Sequence, residues 1–314
     1  MARYVGARLL GALPMLFLMS LLVFAIVYLI PGDPVDAMLG QEADAVARTA
    51  LRRELGLNLP LWRQYTTWAW RALHGDLGRS LRAQQPVATL IREKLPATLL
   101  LTTAAAALAI LIAVPAGTLA AVRRNTAVDF LAMLGALLGV SIPSFWSGIM
   151  LILLFGLVLG WLPAMGYANL LGEPAAALRH LVLPAVTLGS VMAGAVTRQV
   201  RAQLLQELSR DYVRTARSKG LRETRVVVRH GLRNSLIPAV TVLGVQFSIL
   251  LGGAVITEQI FAWPGVGQLA VHAILNRDYP VLQGVILTVA VLVTLVNLLV
   301  DVAYAVLDPR IRLA

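Results

Sequence analysis

The chain alternates long apolar runs with shorter polar ones. Six runs stand out, at about 9–30, 97–122, 130–160, 181–197, 236–257 and 281–304. Each reaches or approaches the length that crosses a hydrocarbon layer roughly 30 Å thick at about 1.5 Å per residue. Lipid offers no partners to open peptide groups, so these runs are predicted to be helices. The expectation is an all-α polytopic membrane protein with six transmembrane helices. The run at 130–160 is too long for one straight span. Its "GVSIPSFW" places Pro143 inside, where the missing N–H predicts a kink or break. The run at 181–197 is short, with Arg179 and His180 before it and Pro184 near its start.

The polar stretches give the organisation. The first run, Leu9 to Ile30, ends in "PGDP" and not in a small-residue cleavage site, so it is expected to be a retained span. Residues 1–30 then form a tail and first helix, and 31–96 an external segment. A five-helix core follows at 97–308, with a polar loop at 198–235 and a tail at 309–314. Within the external segment, "EADAVARTALRRELGL" and "PLWRQYTTWAWRALHGDLG" have helical spacing. Trp62, Trp68 and Trp70 suit a membrane interface, where a ring can be half buried with its N–H wet. "PVATLIREKLP" reads as a short amphipathic helix lying on the membrane before the second span.

Composition agrees with this class. The 314 residues are 58% hydrophobic and 14% charged, against about 25% charged in soluble domains. There is no Cys, which excludes disulfides, thiolate metal sites and Cys nucleophiles. The net charge of +11 is unevenly placed. Residues 198–233 hold ten Lys or Arg and three acids, whereas 31–96 hold nine basic and seven acidic residues. Short basic loops stay in the cytoplasm, so both termini and the 198–235 loop are expected there.

That loop contains "DYVRTARSKGLRETRVVVRHGLRNSLIP", residues 211–238, with seven Lys or Arg against two acids. Orientation explains its sign but not its pattern. Apolar or small residues recur at Tyr212, Thr215 and Ala216, Gly220 interrupts, and "TRVVVRHGL" resumes. A helix–Gly–helix element on cationic stems reads as a rigid knob offered to a partner. Nucleic acid is a poor partner, because the spans hold this surface against an anionic membrane.

Residues 211–238 resemble the ATPase-docking loop of permease subunits in binding-protein-dependent ABC importers. The short motif of that family is E-A-A, three residues, Gly, nine residues, then I-x-L-P. With Gly220 on its Gly, Ala216 and Leu232 also match, while Arg214 and Thr215 replace the first two positions and His230 and Arg233 stand for I and P. The peptide/nickel-type branch fits better, with "DYVRTARSKGL" and "HGLRNSLIP" joined by "PGDP", "LGLNLPLWRQY", "GDLGRS", "LGVSIPSFW", "LGWLPAMGY", "IFAWPGVGQLA", "RDYPVLQG" and "LLVDVAYAVLDPRIR" in consistent order.

The resemblance implies an ABC importer type I permease fold in a bacterial inner membrane. It implies a second, related permease subunit forming a heterodimer, two cytosolic ATPase subunits and an extracytoplasmic solute-binding protein. No cofactor would be bound by this chain, with ATP and Mg on the ATPase subunits. Tyr212, Arg214, Thr215, Ala216, Lys219, Gly220 and Leu232 would form the coupling loop, Ala216 and Gly220 allowing close packing and Arg214, Arg217 and Lys219 meeting acidic or polar groups. Short peptides, including glutathione-like ones, are the first choice of solute, and nickel or a nickel chelate the second.

Other chemistry is thin. No G-x-x-x-x-G-K-[ST], H-E-x-x-H or G-x-S-x-G occurs, and the four His are scattered, so neither an ATP site, a metal site nor a hydrolase is expected. An ATPase-independent channel or proton-coupled carrier would need charges near the bilayer centre, which the spans lack. Gln246 and Asn297 are candidates to line a pathway, against a role in bridging helices, and Asn297 shares a helical face with Thr294 and Asp301. Glu258, Trp263, Pro264 and Gly265 are candidates for an outer gate or a binding-protein contact. For Glu258 the competing reading is a solvated carboxylate, and for "FAWPGVGQL" a loop folded onto the bilayer surface.

Overall fold

The computed structural model describes residues 2–29, 35, 44–54 and 58–307. "PGDP" at 31–34, parts of the stretch at 42–57 and the tail at 309–314 lie outside the described residues. The elements are α1 (Ala2–Leu29), α2 (Ala45–Glu54), α3 (Leu61–Leu73), α4 (Val87–Val122), α5 (Ala127–Ser141) and α6 (Ser144–Leu151). Then come α7 (Pro174–Leu208), α8 (Asp211–Ser218), α9 (Arg233–Ile260), α10 (Val266–Leu275) and α11 (Tyr279–Leu307). Two π-helical segments, Ile152–Val158 and Val226–Leu232, extend α6 and lead into α9.

Among the described residues, five helices are long and apolar enough to cross a membrane, with apolar stretches at Arg8–Ile26, Val87–Val122, Pro174–Leu208, Val242–Ile260 and Tyr279–Val302. The sixth apolar element is broken. α5 and the α6 segment meet at 103° across Ile142 and Pro143. Pro143 adopts φ −58° and ψ 133°, the extended conformation that ends one helix and begins the next. Sequence and structure therefore agree on six apolar elements and on where one of them fails to run straight.

Two expectations change. "PVATLIREKLP" is not a separate surface helix but the first turns of α4. Its apolar side is taken by protein: Val87 and Ile91 are buried in a cluster with Val266, Ala273, Val281, Leu282 and Val285. The fourth run is not short either. α7 is 35 residues long in all and continues beyond it on both sides, carrying Arg179, His180 and Pro184 within the helix. Pro184 is buried there.

The chain forms two compact units. One is built mainly from Thr98–Trp263 and has α7 at its centre. Small residues let backbones approach closely: a Cβ on Gly189 would lie 2.7 Å from the Ala105 carbonyl oxygen, and one on Gly194 would collide with that of Ala136. Such contacts drive packing in lipid, where the hydrophobic effect between helices is absent. The other unit, Gly6–Ala97 with Pro264–Thr294, is organised around the Val87 cluster. There Asp278, buried before α11, accepts hydrogen bonds from Ser80 Oγ at 2.5 Å and from Leu81 N–H at 3.1 Å, fixing the "GDLGRS" turn.

Candidate functional site

The basic stretch folds into a small body with its own core. α8 begins at Asp211, whose carboxylate favours a helix N-terminus, and ends where Gly220 takes φ +74°. A single turn at Glu223–Arg225 and the π-helical segment return the chain to α9. Val213, Ala216 and Val226 are buried together, with Leu208 and Leu221 packed against them. Leu208 also borders a second cluster of Ala121, Leu204 and Val227, so the loop is rooted on α4 and α7.

Polar contacts finish the job. The Tyr212 hydroxyl lies 2.6 Å from Glu207 Oε2 and 3.1 Å from the His230 carbonyl, and accepts from Asn234 Nδ2 at 3.0 Å. One side chain thereby ties α8 to the end of α7 and the start of α9. Partial burial raises the phenol above its ordinary range, opposed by the Asn234 hydrogen bond and aided by the Glu207 carboxylate. Arg217 donates to both Glu223 oxygens, at 3.1 and 2.7 Å, bridging the Gly220 turn. That hydrogen bonding holds the Glu223 carboxyl below its usual range and raises the guanidinium.

The residues singled out in this loop come together, but not all in the expected role. Arg214, Thr215, Lys219 and Gly220 are exposed, whereas Ala216 is core and Leu232 half-buried. Gly220 does not serve a close approach within this chain: a Cβ there would meet nothing within 4 Å. Its positive φ is what requires glycine. Arg217 finds its acid inside the loop, and Arg214 reaches Asp211 only at 3.7 Å on an open surface.

At the far end of α9 the solvated reading of Glu258 fails. Its side chain is fully buried, and Thr98 Oγ1 of α4 donates to Oε1 at 2.6 Å. Trp263 is likewise fully buried, stacked edge-on against Tyr167 with centroids 4.9 Å apart, and its backbone N–H donates to the Glu258 carbonyl at 2.8 Å. The Gly166 N–H donates to the Phe261 carbonyl at 2.9 Å, so "LGWLPAMGY" clasps "IFAW". The aromatic pair thus folds into protein and not onto the bilayer surface. Pro264 is half-buried and Gly265 buried. Among the described residues no hydrogen bond joins Gln246 to Asn297; Asn297 Oδ1 accepts from Ser248 Oγ of α9 at 3.2 Å.

Sequence reading missed the part-buried ion pair between α5 and α7. Arg201 grips Asp129 with both arms, Nε to Oδ1 at 2.6 Å and an η-nitrogen to Oδ2 at 2.7 Å. The Asn125 N–H adds a third donor at 2.9 Å. Arg201 looked like one more loop charge, and nothing along the chain reveals a partner 72 residues away.

Comparison with known proteins fits this architecture. The chain is 45% identical to a glutathione transport system permease protein, GsiC, of Escherichia coli O6:H1, over 99% of both chains. It is 44% identical to the proteins of the same name in Escherichia coli K12 and Shigella dysenteriae serotype 1, again over 99% of both chains. A solved structure of the MetNI methionine ABC transporter in an inward-facing conformation matches with TM-score 0.59 at 19% identity, covering 70% of this chain and 96% of that one, which bears on the fold alone. The N-terminal component of binding-protein-dependent transport system membrane proteins matches residues 1–102, and the binding-protein-dependent transport system inner membrane component matches residues 113–313. On these matches, the chain belongs to the family of binding-protein-dependent transport system inner membrane components.

Proposed function

We propose that this permease forms half of an ABC importer pathway for short peptides of the glutathione kind, paired with a second, related permease. The chain lies in the membrane with both termini in the cytoplasm. The loop at 198–235 docks on one of two ATPase subunits, which carry the ATP and Mg, while a solute-binding protein delivers cargo outside. The observation that carries the reading is the preorganised loop: a core of Val213, Ala216 and Val226 leaves Arg214, Thr215, Lys219 and Gly220 presented together on its surface. ATP binding can shift the pathway only through a contact that differs between its two states, and a rigid knob supplies one. The cargo class rests on likeness to permeases named for glutathione transport.

Gln246 and Asn297 are assigned to the pathway wall. Glu258 and Trp263, being buried, are assigned to bracing the outer end of α9, with Pro264 and Gly265 completing the outer gate. The test replaces Gly220 with Trp in the assembled complex and measures ATPase co-purification and peptide uptake into vesicles. Loss of both is expected; normal assembly and uptake refutes docking through this loop. Uptake of a nickel chelate in preference to glutathione by the unmodified complex refutes the cargo.

A further inference from the structure

α3 divides into three strips. At about 100° per residue, Tyr65, Trp68 and Ala72 fall in one sector about 60° wide. This strip packs on α1: Tyr65 lies edge-on to Phe17 and Phe24 at 6.3 and 5.5 Å, its hydroxyl is 2.8 Å from Ser20 Oγ, and Trp68 is 5.9 Å from Phe24. A second sector, about 80° wide, holds Trp62, Trp70 and Leu73. All three are exposed, by 62%, 66% and 82%. Thr66 shares this strip, and its hydroxyl is turned back to the Arg63 carbonyl at 3.1 Å. The remaining sector carries Arg63, Thr67 and Arg71, all exposed. Trp68, expected at an interface, is thus a protein contact, while Trp62 and Trp70 stay exposed, Trp70 touching only His74 of the next turn, with centroids 4.4 Å apart.

The depth of the contact says what covers the apolar strip. Phe17 and Phe24 lie about 13 and 24 Å along α1 from Arg8, where its apolar span begins. Both values fall inside a hydrocarbon layer of about 30 Å. α1 itself is largely uncovered by this chain, with only 6% of its apolar window buried and Leu13, Phe17, Leu18 and Leu22 exposed. A helix fastened at that level presents its free apolar face to the same medium. The Arg63 guanidinium sits over the Trp62 ring at 5.0 Å, a geometry that puts charge at the upper margin of the apolar strip.

We infer that α3 is an interfacial helix embedded in the leaflet remote from Arg8, with Trp62, Trp70 and Leu73 at the acyl–glycerol boundary and Arg63 and Arg71 on phospholipid phosphates. It is a lipid-binding surface and not a docking face for the solute-binding protein. The amphipathic sectors, the aromatic composition and continuity with the exposed face of α1 all favour lipid.

The chain has no native Cys, so a nitroxide on one introduced Cys reports one position. Full-length Trp62→Cys, Trp70→Cys, Leu73→Cys, Thr67→Cys and Arg71→Cys variants are reconstituted in bilayers of phosphatidylethanolamine and phosphatidylglycerol. Collision with oxygen and with a water-soluble nickel chelate is then measured. The oxygen-to-chelate ratio is expected to be several-fold higher at 62, 70 and 73 than at 67 and 71. Equal chelate access at all five positions overturns the inference, as does shielding of 62, 70 and 73 from both reagents, which marks a protein cover. A second measurement leaves the helix nearly unchanged: lipids brominated near the glycerol end are expected to quench the unmodified chain more strongly than a Trp62→Phe, Trp70→Phe variant, and equal quenching overturns the inference.

Discussion

The Tyr212 hydroxyl bridges Glu207 and Asn234, at 2.6 and 3.0 Å, and so joins the two membrane helices that flank the basic loop. Tyr212 sits on α8, between α7 and α9 in the chain, and its hydroxyl holds the knob to both stems. Replacing it with Phe keeps the ring and removes the tie. With Tyr212→Phe, co-purification of the ATPase is expected to stay normal while peptide uptake per ATP hydrolysed falls several-fold. Asn234→Ala cuts the same tie from the α9 side, and the double variant is expected to be no worse than the poorer single one. Unchanged coupling in Tyr212→Phe refutes the role.

Gly220 provides a second, separable test. Its φ of +74° disfavours any L side chain, although space is open around it. Gly220→Ala is expected to cost about 1 kcal/mol through the backbone alone. Gly220→Asn, which tolerates this conformation, is expected to cost less. Amide exchange across 211–225 in the purified chain reads the difference.

Thr98 and Glu258 make a buried pair whose halves are not equivalent. Thr98→Val removes a donor from a fully buried carboxylate, an expected loss of about 1–3 kcal/mol. Thr98→Ser retains the hydroxyl and is expected to restore most of it. Thermal unfolding in detergent checks both, and equal stability of the Val and Ser variants counts against the bond.

Two glycines discriminate packing from propensity. Gly194→Ala drives a methyl into the Ala136 carbonyl between α7 and α5, and is expected to destabilise by about 1–3 kcal/mol. Gly135→Ala, in α5 with nothing within 4 Å, is expected to be neutral or slightly stabilising. Parallel melting curves decide it.

The loop carries two opposite pH limbs. Glu223 is held below its usual range by Arg217, so its contribution is present above the unfolded pKa and disappears as pH falls through the folded one. The pair is half-exposed, which limits the effect to below about 1 kcal/mol. Tyr212 is raised, so its contribution holds below the unfolded phenol pKa and is lost as pH climbs through the folded value. Loop amide protection, taken relative to the intrinsic exchange rate at each pH, is expected to fall in acid and again in strong alkali. Glu223→Gln should remove the acid limb and Tyr212→Phe the alkaline one.

The apolar runs by themselves determined that the chain is helical and membrane-spanning, because lipid forces each run to satisfy its own backbone. Pro143 marked the break in the third run, since a missing N–H is a local property. The basic loop was legible as a unit because Gly220 and the charge density are local too. Tertiary structure alone decided what each polar residue faces. Asp129 and Arg201, Thr98 and Glu258, and Ser80 and Asp278 are 72, 160 and 198 residues apart, and composition cannot announce such partners. It also decided which apolar faces join this chain's own core: Val87 and Ile91 are buried in it, while Trp62 and Trp70 stay exposed. Periodicity sets which side of a helix is apolar, but only packing against distant segments sets what that side meets.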